Sequence, residues 1–112
     1  MDILTNSTEV SVTVITLSGR LDALEAGPLR ETLQGQLDAG LSNLAVDLSD
    51  VDFVDSAGLA ALVKGMKGAR SLDGDLRLVK PVSADAMRIF ELTKFTDVFV
   101  MVDSLDDLTQ RW

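Results

Sequence analysis

Cysteine and histidine are both absent from the 112 residues. Without thiols or imidazoles there is no disulfide framework, no zinc site of the Cys/His type, no thiol nucleophile and no Ser-His-Asp triad. Bases are scarce as well: Lys and Arg total 10 against 18 Asp and Glu, a formal net charge of −8. Direct contact with nucleic acid depends on Lys and Arg meeting phosphates, so this balance argues against it. No apolar run approaches the ~18 residues that a membrane span requires, and membrane insertion is not expected. Met1-Asp2-Ile3-Leu4 has no basic region, and polar residues from Thr5 to Glu9 break the apolar stretch, so no signal peptide and a cytoplasmic location are expected.

Other absences concern motifs. No Gly-Lys-Ser/Thr loop occurs, and Gly65-Met66-Lys67-Gly68 lies inside a helical pattern, so no phosphate cradle is indicated. Val54-Asp55-Ser56-Ala57-Gly58 carries Val where a nucleophile elbow has Gly, and no histidine is there to act as base. Asp50, Asp52 and Asp55 match no calcium-loop spacing, so no metal site is expected. Together these exclusions leave no catalytic residue and no cofactor, and an enzyme with its own turnover is not expected.

What is present is one core's worth of chain. Hydrophobic residues make up 46%, enough for a soluble globular domain spanning 1–112 and too few residues for two. The charge is unevenly placed. No base falls between Arg30 and Lys64, while Glu31, Asp38, Asp47, Asp50, Asp52 and Asp55 do. Asp47, Asp50 and Asp52 read as solvated turn residues.

Read in order, Ile3 to Thr5 forms a short strand turning at Asn6-Ser7-Thr8 into the alternating Val10-Ser11-Val12-Thr13-Val14, an antiparallel hairpin. The alternation slips at Val14-Ile15, which marks burial on both faces or a bulge, and Gly19 ends the strand. Ala23 to Ala39 carries Ala26, Leu29, Leu33 and Leu37 on one helix face, with Pro28 tolerable only in the first turn and Gly40 as the left-handed stop. Leu44-Ala45-Val46-Asp47-Leu48 is a strand, Ser49-Asp50-Val51-Asp52 a turn-rich acidic segment, and Phe53-Val54 follow. From Leu59 the period changes to Leu59, Leu62, Val63 and Met66, one face of a helix.

Further strands are expected at Leu76 to Val79 and over the apolar run Val98 to Val102, the latter covered on both sides. Ser83 caps a helix with Ala86, Met87 and Phe90 inward, and Ser104 opens a last short helix. Trp112 reads as a packing residue. The resulting fold class is α/β: a mixed, mostly parallel sheet with an N-terminal antiparallel hairpin and about four packed helices, joined by right-handed crossovers.

Ser56 sits where a strand feeds a helix. Its hydroxyl can cap that helix by accepting an orphan N–H. A serine at a helix N-terminus is also a place to carry a phosphate, because free amides and the helix dipole favour a dianion there. Asp55 either holds the serine or extends the cap, and Asp22 can cap the helix that follows it. Gly58 permits close packing or close approach of a partner.

Asp55-Ser56-Ala57-Gly58-Leu59, preceded by Val46-Asp47-Leu48-Ser49 and Phe53-Val54, resembles the central motif of the STAS domain, specifically of its anti-sigma factor antagonists. Leu17-Ser18-Gly19-Arg20-Leu21-Asp22, Leu76-Arg77-Leu78-Val79 and Arg88-Ile89-Phe90-Glu91-Leu92-Thr93 fit in the same order. The likeness spans nearly the whole chain. It implies the STAS fold, with Ser56 as the phosphorylation site and Asp22, Asp55, Ala57, Gly58 and Leu59 as partner-binding positions. Many relatives have Ser or Thr after that serine; here Ala57 leaves Ser56 as the one hydroxyl in the motif.

The partners implied are an anti-sigma factor that is a serine kinase and a serine/threonine phosphatase of the metal-dependent class. Unphosphorylated, the domain would bind the anti-sigma factor and release sigma. A STAS interaction module outside sigma control, in a signalling scaffold or a lipid transport complex, is the alternative. Monomer and weak homodimer both stay open.

Overall fold

The computed structural model describes residues 11–110 and 112. The first expected strand and the turn at Asn6-Ser7-Thr8 therefore lie outside the described residues. Within them, four strands and four α-helices alternate: β1 Thr13–Leu21, α1 Ala23–Asp38, β2 Asn43–Val54, α2 Ser56–Ser71, β3 Asp75–Val79, α3 Ala84–Thr93, a single 3₁₀ turn Phe95–Asp97, β4 Met101–Val102 and α4 Leu105–Gln110. The strands pair in the order β1-β2-β3-β4, every pair parallel. The α/β class with about four helices is as expected.

Alternation along β2 decides what each face of the sheet meets. Leu44, Val46 and Leu48 belong to the main core, which gathers Leu29 and Leu33 of α1, Leu62 and Met66 of α2 and Phe90 of α3. Ala45 on the opposite face joins a small cluster with Val79 and Leu108, covered by α4 and Trp112. Trp112 packs as expected, and the Arg77 guanidinium lies 4.3 Å from its ring centroid. Three helices on one face and a short one on the other leave the carboxyl ends of β1 and β2 opening onto the N-termini of α1 and α2.

The α1 face is Ala26, Leu29, Leu33 and Leu37, all buried, as the spacing requires. Its end is a Schellman motif: the Leu41 N–H donates to Gln36 C=O at 2.9 Å and the Gly40 N–H to Leu37 C=O at 2.9 Å, with Gly40 at φ +80°. Ser83 caps α3 as expected, accepting the Ala86 N–H at 3.4 Å. Ser104 caps α4, accepting the Asp107 N–H at 3.1 Å.

Four expectations are corrected. The acidic segment Ser49 to Asp52 is not a turn but part of the 12-residue β2. Parallel register slips twice against β1, between Thr16 and Ser18 and between Gly19 and Arg20, so β2 bulges while the ladder continues. The Asp47 carboxylate accepts the Ser49 N–H at 2.9 Å beside the first slip. Gly19 accordingly does not end β1; at φ +80° it sits at the second slip and the strand runs on to Leu21. Pro28 lies in the second turn of α1, not the first; the carbonyl it deprives of a donor belongs to Leu24, which is 84% exposed and open to water. Val98 to Val102 yields only the two-residue β4, with Val98 and Val100 exposed, because Phe95 to Asp97 coil into the 3₁₀ turn just before.

Candidate functional site

Asp55 joins two helices to the sheet. Its Oδ1 accepts the Gly58 N–H at 2.9 Å, which makes Asp55 the N-cap of α2. Its Oδ2 accepts the Ala23 N–H from the first turn of α1 at 3.2 Å. Its own N–H donates to the Leu21 carbonyl at the end of β1, 3.2 Å away. One carboxylate thus satisfies orphan donors of two neighbouring helices. The reading of Ser56 as the cap is corrected here: the cap bond falls to Asp55, and Ser56 is the first residue inside the helix.

Asp22 caps α1, accepting the Leu24 N–H at 3.1 Å through Oδ1, while Arg20 Nε stands 3.6 Å from Oδ2. The Arg20 guanidinium also lies 4.1 Å from the centroid of the Phe53 ring. On the far side, the Ser83 hydroxyl donates to the Asp52 carbonyl at 3.1 Å and ties the start of α3 to the end of β2. Three helix N-termini therefore meet at one rim of the sheet, outside the carboxyl ends of β1 and β2, where open α/β sheets place their sites.

Ser56 is exposed on this rim; Asp22, Asp55 and Ala57 are half-buried; Gly58 and Leu59 are buried. Gly58 thus contributes close packing and no open surface, for a Cβ on it would overlap the Leu21 carbonyl oxygen and stand 2.7 Å from Leu21 Cγ. Leu59, only 5% exposed, is a core residue. Two residues that the motif did not single out stand at helix starts of the same rim: Leu24 in the first turn of α1 and Val82 just before α3, 84% and 85% exposed. Large apolar side chains standing almost free at the surface are the usual raw material of a protein contact. Only their neighbours in sequence, a helix start and a strand end, could have hinted at them.

The rim is acidic. Asp22, Glu25, Asp52 and Asp55 lie on or next to it, against Arg20. Among the described residues no three acidic side chains are grouped to hold a metal ion. Nor is any described helix long and apolar enough to cross a membrane.

Removing the Asp55 carboxylate is expected to destabilise the fold by about 2 kcal/mol, since one N-cap is worth ~1 kcal/mol and a second helix loses its bond at the same time. Asp55→Asn, which keeps one acceptor oxygen, should lose about half as much. Urea denaturation of both variants checks the order.

The sequence profile of the STAS domain matches residues 5–108. Over 98 residues the chain is 30% identical to the anti-sigma-B factor antagonist of Bacillus subtilis, covering 88% of this chain and 85% of that one. The crystal structure of an anti-sigma factor antagonist from Mycobacterium paratuberculosis superposes with a TM-score of 0.79 at 26% identity, over 89% of this chain and 84% of the other. The anti-sigma factor antagonist SpoIIAA from Bacillus, in its unphosphorylated form, shares the fold with a TM-score of 0.70 at 19% identity over 98% of this chain and 92% of its own. SpoIIAA has also been solved phosphorylated.

Proposed function

The chain belongs to the STAS domain family, and on that premise we propose that it is an anti-sigma factor antagonist that binds its anti-sigma factor through the rim around Ser56 and is released by phosphorylation of that serine. In this reading the anti-sigma factor is a cytoplasmic serine kinase, which modifies Ser56 and lets go. A metal-dependent serine/threonine phosphatase restores the hydroxyl. The chain is then a binding protein and a kinase substrate, with no turnover of its own.

The observation that carries the reading is the division of labour between neighbours. Asp55 supplies the cap bond, so the exposed Ser56 hydroxyl is not needed to hold α2 and can be modified without unmaking the helix. A phosphate there meets the positive end of the helix dipole and the amides of the first turn, which favour it. The rim therefore keeps its shape while its charge changes, and release comes from repulsion and bulk.

Leu24 and Val82 are the apolar contacts in this picture. Leu24→Ser and Val82→Ser should each weaken binding about tenfold while leaving the unfolding midpoint nearly unchanged, because side chains this exposed contribute little to the core. Calorimetric titration and urea denaturation of the same variants measure both. The reading as a whole is tested by titrating a purified serine-kinase anti-sigma factor from the same genome with the chain before and after phosphorylation. Tight binding before and weak binding after is expected; equal binding would overturn it.

A further inference from the structure

The charge of this protein is segregated along α2. The chain carries −8, yet the 16 residues of α2, SAGLAALVKGMKGARS, hold three bases and no acid. Arg70 is committed to the fold: its Nε donates to Asp75 Oδ1 at 2.9 Å and its Nη2 to the Val98 carbonyl at 2.9 Å. Lys64 and Lys67 are exposed, and among the described residues neither takes part in an ion pair.

Both lysines line a groove of about 420 Å³ that runs from Ser56 along α2 to Phe95, with Leu59 and Val63 also lining it. Phe95 and Val63 are half-buried there. An apolar trough beside two ammonium groups with no ion pair among the described residues, on a chain of net charge −8, suits one kind of occupant. We propose that this groove docks an acidic amphipathic segment of the anti-sigma factor, with an aliphatic side chain between Val63 and Phe95 and carboxylates against Lys64 and Lys67. The inference rests on the function proposed above and adds to it a second contact, which begins beside the phosphoacceptor and continues along α2 to the two lysines.

Distance separates the lysines from the phosphoacceptor. At 1.5 Å rise per residue, Lys64 and Lys67 lie roughly 12 and 16 Å along the helix from Ser56. Screening at physiological salt acts over ~8 Å. Backbone separation beyond the screening length keeps the coupling between the lysines and a phosphate on Ser56 weak, and the two contacts act largely independently on the partner. The groove attracts the acidic segment whatever the state of the serine, while the rim decides whether the complex closes. An antagonist with net negative charge thereby gains attraction for an acidic surface, which raises the rate of encounter.

The test titrates a purified serine-kinase anti-sigma factor from the same genome with wild type, K64A/K67A, K64E/K67E, Ser56→Asp and the combination of Ser56→Asp with K64A/K67A, at low and high salt. Expected losses at low salt are about fivefold for K64A/K67A and on the order of thirtyfold for K64E/K67E, with a shallower salt dependence in both. The combined variant should show the product of the separate losses. If wild type binds and Ser56→Asp weakens it while the lysine variants bind as wild type does, this inference falls and the proposed function stands. No binding by wild type overturns both. If the lysine variants instead abolish a salt-sensitive self-association of the chain, the groove belongs to a second copy and the inference is wrong.

Discussion

Replacing Ser56 by Asp is expected to weaken the complex with the anti-sigma factor about a thousandfold, whereas Ser56→Ala leaves affinity and stability close to wild type. A unit charge facing a partner acid at ~4 Å costs on the order of 4 kcal/mol at an effective dielectric of 20, and that converts to about three decades of affinity. The rim heightens the effect because Asp22, Asp52 and Asp55 already lie on or beside it, so a partner must have reached terms with local negative charge before more is added. A phosphate carries more charge than Asp and sets the larger limit. The alanine variant isolates the hydroxyl. From sequence, Ser56 could have been the cap and its loss would cost ~1 kcal/mol. With Asp55 accepting the Gly58 N–H, Ser56→Ala is expected to change stability by less than about 0.5 kcal/mol. Isothermal titration and urea denaturation of the two variants give the comparison, and equal affinities for Ala and Asp would contradict a charge mechanism.

Gly58→Ala is expected to destabilise the domain by about 2 kcal/mol. Two effects oppose one another. Alanine is a better helix former than glycine by up to ~1 kcal/mol. The added Cβ, however, overlaps the Leu21 carbonyl oxygen and approaches Leu21 Cγ to 2.7 Å, and the Leu21 carbonyl also accepts the Asp55 N–H. Backbone cannot swing aside as a flexible side chain can, so overpacking at ~1–3 kcal/mol wins. Moving α2 outward would also stretch the Asp55 bonds to Ala23 and to the Leu21 carbonyl, coupling the loss of packing to the loss of the link between the two helices and β1. A fall in the thermal midpoint of roughly 8 °C should follow. Ala57, one residue earlier and half-buried, offers no such obstacle, and the contrast shows why glycine at 58 belongs to the architecture of the rim.

The helices were legible from periodicity, because a face such as Ala26, Leu29, Leu33 and Leu37 has one solution at 3.6 residues per turn. The strand-to-helix junction at Ser56 was legible too. Its cap was displaced by one residue, since Asp and Ser are both good caps and spacing does not choose between them. The Ser49 to Asp52 segment misleads for a different reason. Asp and Ser look like turn residues, yet bulged pairing with β1 and the Asp47 bond to Ser49 carry them within a strand. Pattern reading has no access to register.

Val98 to Val102 fails as a strand because apolarity describes burial more than geometry, and the 3₁₀ turn at Phe95 takes up the chain just before it. At the site, Asp22, Asp55 and Ser56 emerged from the sequence, whereas Leu24 and Val82 did not. Exposure is decided by what fails to cover a side chain, which only the assembled helices reveal. The segregation of Lys64 and Lys67 from the acids could be seen as composition, but the groove beside them could not.

The central claim is that Ser56 is the residue a serine kinase modifies, and the most direct measurement is mass spectrometry of the intact chain and its peptides after incubation with ATP and the anti-sigma factor. One phosphoryl group on Ser56, absent from Ser56→Ala and accompanied by dissociation of the complex, is the expected result. A chain that takes no phosphate, or takes it elsewhere with Ser56 untouched, would contradict the account.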